Sequence, residues 1–171
     1  MEPKHLRRLS WILVSLVLLS SLLVVVTMKS RGKIAVGGVE DVVLLPWGEK
    51  ISARIDTGAA TSSLDARDIK APSRDLVEFT LPDRCGGHRV RRPLVGWRSV
   101  KSSNGATERR PVVMIDLVLG PKRLRTLVTL TDRSQMQHPL LIGRKTLKTL
   151  FVVDVNQTNL VAPVWAEGPE K

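Results

Sequence analysis

From Val39 onward, apolar and polar residues alternate in short runs separated by turn formers, as in strands with one buried face. Before that point the chain reads differently: Leu9 to Met28 is an almost unbroken apolar run interrupted only by Ser and Thr. At a helical rise of 1.5 Å per residue, a run of that length covers about 30 Å, enough to cross a bilayer. The reading is therefore an N-terminal stretch 1–8, a transmembrane signal anchor 9–28, a tether 29–37, an all-β domain 38–165 and a disordered tail 166–171. Lys4, Arg7 and Arg8 precede the apolar run and favour a cytoplasmic N-terminus, although Lys29, Arg31 and Lys33 follow it. A cleavable signal peptide is the competing reading. Against it stand the length of the apolar run and the lack of a small-residue cleavage motif before Met28.

Within the β region, Val39–Leu45 and Lys50–Ile55 flank Pro46-Trp47-Gly48-Glu49 and predict a hairpin. Ser62–Ala66 is short and extended, Arg67–Arg74 reads as loop, and Leu76–Leu81 alternates as a strand. Arg89–Val100 holds one or two strands with a basic face. Ser102-Ser103-Asn104-Gly105 is the strongest hairpin signal, because Asn-Gly populates the left-handed conformations a two-residue turn needs. Its return strand runs through Pro111–Leu119, and Arg123–Thr131 follows. Leu140–Gly143 is a short strand, Lys145–Leu150 a short helix, and Phe151–Val155 and Leu160–Val164 close the domain. After the N-terminal segment, the rest of the 171 residues suffices for one domain with a single core, not two lobes.

Charge adds a partner class. The net charge is +11, most of it beyond the N-terminal segment. Anionic envelope components are the expected partners of such a surface, and nucleic acid is not; a simple solubilising excess is the alternative. Cys85, the only cysteine, cannot form an intrachain disulfide, and Asp83-Arg84-Cys85-Gly86-Gly87 reads as an exposed turn.

The candidate chemistry lies at Asp56-Thr57-Gly58. The run Ile51, Ala53, Ile55 ends abruptly there, delivering a carboxylate into a tight turn. Gly58 is expected to take a backbone conformation closed to other residues, with the Thr57 hydroxyl holding the loop. Alone, the tripeptide is an ordinary turn. Downstream, Leu141-Ile142-Gly143-Arg144 closes a second apolar strand.

Together, Asp56-Thr57-Gly58-Ala59 and Leu141-Ile142-Gly143-Arg144 resemble the paired motifs of retropepsins, the single-lobe aspartic proteases. With Ala53-Arg54-Ile55, Ser102-Ser103-Asn104-Gly105, Arg110-Pro111-Val112-Val113 and Asp132-Arg133-Ser134, the chain is similar to a bacterial retropepsin-like family that carries the label of an ATP-dependent zinc protease. The resemblance covers about residues 38 to 156. It implies a closed β-barrel with one short C-terminal helix, preceded in this chain by the transmembrane helix. It also implies a catalytic Asp56, a loop supported by Thr57, Gly58, Ala59, Ile142 and Gly143, and a flap at Ser103, Asn104 and Gly105, which a plain surface turn would equally explain.

Amide hydrolysis by this chemistry needs two carboxylates sharing one proton, one acting as base and the other as acid. The chain has one Asp-Thr-Gly, and Asp65, Asp68, Asp116, Asp132 and Asp154 read as turn or exposed-face groups. The second carboxylate is therefore expected from a second copy, in a twofold homodimer. Where retroviral enzymes place acidic residues after this motif, Ala60, Thr61, Ser62 and Ser63 stand, so Arg144 needs another partner, and Asp65 or Asp68 is the expected one. Zinc is not expected: the histidines are His5, His88 and His138, and only Cys85-x-x-His88 shows half of a ligand spacing. No phosphate-binding glycine loop is present, so neither ATP nor any other cofactor is expected. The function read from the sequence is an aspartic endopeptidase on a peptide or protein substrate, held at the bacterial inner membrane with its domain in the periplasm. The alternatives are a non-catalytic envelope-binding module on the same fold and, less favoured, a zinc hydrolase.

Overall fold

A computed structural model of the chain describes residues 32–101 and 107–165. The residues from Ala35 onward form one compact unit. In chain order the elements are β1 (Ile34–Leu45), β2 (Glu49–Asp56), β3 (Ser62–Asp65), β4 (Arg67–Ser73), β5 (Leu76–Thr80), β6 (Arg89–Pro93), β7 (Gly96–Lys101), β8 (Thr107–Leu119), β9 (Lys122–Thr131), β10 (Leu140–Gly143), α1 (Arg144–Leu147) and β11 (Phe151–Thr158). A 3-10 turn, Asp83–Cys85, lies between β5 and β6.

The sheet closes on itself. β1 pairs with β2, β2 with β10, β10 with β3, β3 with β9 and β9 with β8, and β8 returns to β1 through Asp116–Leu119 against Val42–Leu45. Closure leaves these strands without open edges, so the barrel carries its hydrogen bonds internally. β7 extends β8 as a hairpin, β11 flanks the first half of β1, and β4, β5 and β6 form a separate three-stranded sheet.

Alternation explains which side faces in. Along β8, Val113, Ile115 and Leu117 are buried while Met114 is exposed. Val42, Leu44, Ala53, Leu64, Val128, Leu130, Leu140 and Ile142 join them in the core. Each large aliphatic side chain so buried contributes about 1.5–3 kcal/mol of transfer free energy.

Four expectations need correction. Arg67–Ser73 is a strand, not a loop; it pairs with β5 through a bulged register, and its exposed residues leave no apolar alternation to read. The helix is shorter than expected and ends at Leu147. Leu160–Val164 is not a strand, because this segment is pinned by other means. The buried Glu40 carboxylate accepts hydrogen bonds from Gly37 N (2.5 Å), Leu160 N (3.0 Å) and Val161 N (3.2 Å). Val164 N donates to Gly120 O, and Trp165 packs on Val43, Leu45 and Val118. β1 also reaches back to Ile34, into the stretch read as tether.

Among the described residues no helix is long and apolar enough to cross a membrane. The proposed anchor 9–28 and the tail 166–171 lie outside the described residues, as do Ser103, Asn104 and Gly105. The strands that would carry the flap are paired, with Lys101 opposite Thr107.

Candidate active site

Asp56 is the last residue of β2. β10 runs parallel beside it, placing Ile142 against Ile55 and Gly143 against Asp56. Asp56 Oδ1 accepts hydrogen bonds from Gly58 N at 2.8 Å and Ala59 N at 3.0 Å. Among the described residues no hydrogen bond reaches Oδ2. The carboxylate is thus oriented through one oxygen, and the other remains available for chemistry.

Gly58 serves the loop differently from the expectation. Its φ is not in the left-handed region, unlike that of Gly48, Gly86 or Gly120. What it supplies is space, since a Cβ there would stand 3.1 Å from Asp56 Oδ1. Gly143 is tighter still: a Cβ would fall 2.6 Å from the backbone carbon of Thr61 and 2.9 Å from its nitrogen. Only a residue without a side chain lets β10 lie this close to the Asp56 loop.

Arg144 finds neither Asp65 nor Asp68. Its Nη1 donates to Thr57 O at 2.9 Å and Gly58 O at 2.7 Å, and its backbone N donates to Ala59 O at 2.9 Å. A guanidinium therefore clasps the loop through its carbonyls, which the absence of acidic residues at 60–63 makes possible. Behind the loop runs a chain of hydroxyls. Gly143 N donates to Ser62 Oγ (3.1 Å), Ser62 Oγ meets Thr146 Oγ1 (2.9 Å), and Thr146 Oγ1 meets Thr126 Oγ1 (2.7 Å). Neither feature was visible in residue spacing; the small polar run 61–63 was its only trace.

A second carboxylate, read as an exposed or turn group, is buried. Asp65 has no exposed surface. It accepts hydrogen bonds from Arg67 Nη1 (2.5 Å), Arg84 Nε (3.1 Å), Arg84 Nη2 and Arg133 N (2.7 Å). Burial pushes this carboxyl up, but the bonds from Arg133 N, Arg84 and Arg67 outweigh it and hold it below the ordinary value of 3.8. Arg84 also donates to Arg133 O and Met136 O, so the node fixes the loop that follows β9. Arg133 itself is depressed by burial and raised in part by the charges of Asp65 and Asp56.

Cys85 is buried rather than exposed, and burial pushes its thiol up to about 11. His88 Nε2 meets Glu49 Oε1 at 2.9 Å and its ring stacks on Trp47, while His138 Nδ1 meets Ser52 Oγ at 2.9 Å. Among the described residues no three His, Cys, Asp or Glu side chains cluster to hold a metal ion. This donor set does not fit a zinc site, and no catalytic step is derived through one.

A family model described as RimB-like, retropepsin-like aspartic endopeptidase RimB, matches residues 35–163. The chain belongs to this family. A crystal structure of a Legionella pneumophila protein of unknown function superposes with a TM-score of 0.63 at 32% identity, covering 74% of this chain and 96% of that one. Two curated relatives are named probable alpha-L-glutamate ligase. The one from Parasynechococcus marenigrum is 37% identical over 71% of this chain and 28% of its own length. The one from Shewanella pealeana is 32% identical over 63% and 25%. The chain thus spans about a quarter of the length of these relatives. Its RimB-like domain is a part of what they contain.

Proposed function

We propose that this RimB-like chain is an aspartic endopeptidase acting as a twofold homodimer, in which Asp56 meets its counterpart from a second copy around one water. The half-satisfied carboxylate carries the reading: one oxygen is held by two amides, and the other makes no hydrogen bond among the described residues. A second copy would supply the other carboxylate, since three further acids of this chain are engaged elsewhere. Asp65 is taken by Arg67 and Arg84, Asp116 by Arg125 and Asp132 by Arg67. None of these is free to complete a dyad.

In the dyad, the ionised carboxylate takes a proton from water as the water oxygen bonds to the scissile carbonyl carbon. The protonated partner gives its proton to the carbonyl oxygen. Collapse of the gem-diol breaks the C–N bond as the newly protonated carboxyl gives its proton to the leaving nitrogen and the other carboxylate takes a proton from a diol hydroxyl, restoring the one shared proton. Thr57 would brace the two loops, Gly58 and Ala59 would line the peptide, and Ser103, Asn104 and Gly105 would tip the flap. The segment 9–28 would hold the dimer at the inner membrane with the domain in the periplasm. The net charge of +11, together with relatives named for an α-L-glutamate ligase, supports an acidic peptide as substrate.

The test is cleavage of acidic peptides by the full chain and by its Asp56→Asn variant, with the mass of each determined in solution. Cleavage is expected from the dimer and lost in the variant. Wild-type turnover by Asp56→Asn, or by a strict monomer, overturns the proposal.

A further inference from the structure

The small sheet of β4, β5 and β6 turns Val77, Phe79 and Val90 inward, and the charged side chains on its other face do not all cancel. A cavity of about 260 Å3 opens there, lined by Asp68 and Lys70 of β4, Glu78 and Thr80 of β5, and Arg89 and Arg91 of β6. The register lays them in two rows: Lys70 stands opposite Glu78 and Glu78 opposite Arg91, while Thr80 stands opposite Arg89. Asp68 lies in the bulge of β4 between Arg67 and Lys70, at a φ of 50°, a left-handed conformation that Asp accepts more readily than most residues. Bulges of this kind re-aim the side chains around them.

Arg91 binds Glu78, with Nε at 2.7 Å and Nη2 at 2.5 Å from Oε1, so these two charges answer each other. Lys70, Arg89 and Asp68 have no ion pair, and the Thr80 hydroxyl has no hydrogen bond, among the described residues. Two cations, a hydroxyl and a carboxylate therefore share one cavity without engaging one another. A ligand of the opposite polarity completes them: an oxyanion at Lys70, Arg89 and Thr80, and an N–H cation at Asp68. Three donors of different kinds around the oxyanion favour a phosphate, with its several acceptor oxygens, over a carboxylate. Neighbouring strands lie about 4.8 Å apart, so Asp68 on β4 and Arg89 on β6 start about 10 Å apart. That span favours an ammonium joined to phosphate by a short spacer over an α-amino acid, whose two charged groups share one carbon.

Resting on the membrane-anchor reading of 9–28 for the source of the ligand, we infer that this cavity binds a phospholipid headgroup that carries a primary ammonium beside its phosphate, as ethanolamine phospholipids do. The phosphate lies against Lys70, Arg89 and Thr80, and the ammonium donates to Asp68. In the sequence only residues 29–33 separate the apolar run from β1 at Ile34. A domain tethered this closely to a bilayer meets headgroups at high effective concentration, so a site of modest affinity is filled. A choline headgroup has no N–H to give Asp68, and a glycerol headgroup has no cation. Asp68, Lys70 and Arg89 take no part in peptide cleavage in this scheme; they set how the domain rests on the membrane.

Lys70 itself reports occupancy, because a bound phosphate shields its amine from acylation. The full chain in maltoside micelles is treated with an amine-reactive ester, and labelling at Lys70 is compared with labelling at Lys122 by peptide mass mapping. Glycerophosphoethanolamine is expected to slow labelling of Lys70 on the order of tenfold once its concentration is about ten times Kd, and to leave Lys122 unchanged. Glycerophosphocholine and glycerophosphoglycerol are expected to protect less. Asp68→Asn, which keeps a residue tolerant of the left-handed backbone, is expected to bring the ethanolamine ligand down to the level of the glycerol one, a selective change that loss of fold cannot mimic. Arg89→Gln is expected to remove protection by all three. In vesicles, Lys70 of the full chain is expected to be protected where phosphatidylethanolamine is present and labelled where phosphatidylcholine is the only lipid. Equal protection by the three soluble ligands or by inorganic phosphate overturns the inference, as does an unprotected Lys70 in the ethanolamine vesicles. Because the micelle measurement needs no bilayer, a chain whose segment 9–28 failed to span would lose the anchor reading and still show whether the cavity selects this headgroup.

Discussion

Asp56 and Asp65 are the same residue type nine positions apart, and the fold uses them in opposite ways. Asp65 is sealed from solvent with both oxygens occupied by two guanidinium groups and a backbone amide. Asp56 is partly open to solvent, with one oxygen held by two amides. A carboxylate with every lone pair engaged in a buried cluster is a structural rivet, and moving a proton onto it means breaking that cluster. A carboxylate oriented through one oxygen keeps the other for a water or a second carboxyl. Saturation of hydrogen-bonding capacity, rather than burial or charge alone, separates the structural acid from the candidate catalytic one.

Replacing each by Asn is the sharpest way to break this contrast. Asp56→Asn is expected to lower peptide cleavage by about 10²–10⁴-fold while the thermal midpoint stays near that of the wild type. Asp65→Asn is expected to do the reverse, destabilising the domain by about 3–5 kcal/mol in denaturant titrations because Arg67 and Arg84 lose their buried counter-charge. If Asp65→Asn is silent in stability, or Asp56→Asn unfolds the domain, the two roles have been assigned to the wrong residues.

A smaller effect is expected at Gly143. Gly143→Ala must displace the Thr61 backbone, costing about 1–3 kcal/mol and moving the Asp56 loop, so activity should fall further than stability accounts for. Equal losses in the two measurements would show that this close approach serves packing alone.

The smallest effect is in acid. The folded value of Asp65 lies below its ordinary 3.8, so its contribution to stability is complete above that value and disappears as pH falls through the lower folded one. Stability measured from pH 6 downward should hold steady and then drop below about pH 4. That portion of the drop should be missing in Asp65→Asn. A drop of the same size in both proteins would place the acid sensitivity elsewhere.

Much of the barrel was legible because its strands alternate. Val39–Leu45, Lys50–Ile55 and Leu140–Gly143 sit in the structure as strands, the last two side by side and ending at Asp56 and Gly143. The strand Arg67–Ser73 was not legible, since an exposed and bulged strand shows no period of two. Glu40 misleads for the opposite reason: an acid inside a strand reads as an outward-facing residue, yet it is buried and binds the segment after β11 through three amides. Cys85 reads as a turn residue, and the 3-10 turn that holds it is packed rather than open.

The sequence by itself determined the all-β class, the pairing of an Asp-Thr-Gly turn with a downstream Ile-Gly strand, and a strongly basic chain, because these depend on local periodicity, turn chemistry and composition. Only the tertiary structure decided that Arg144 clasps the loop carbonyls and that Asp65 is riveted by arginines from 2 and 19 residues away. Those facts depend on which strands close the barrel, and closure brings together side chains whose separation along the chain carries no record of their meeting.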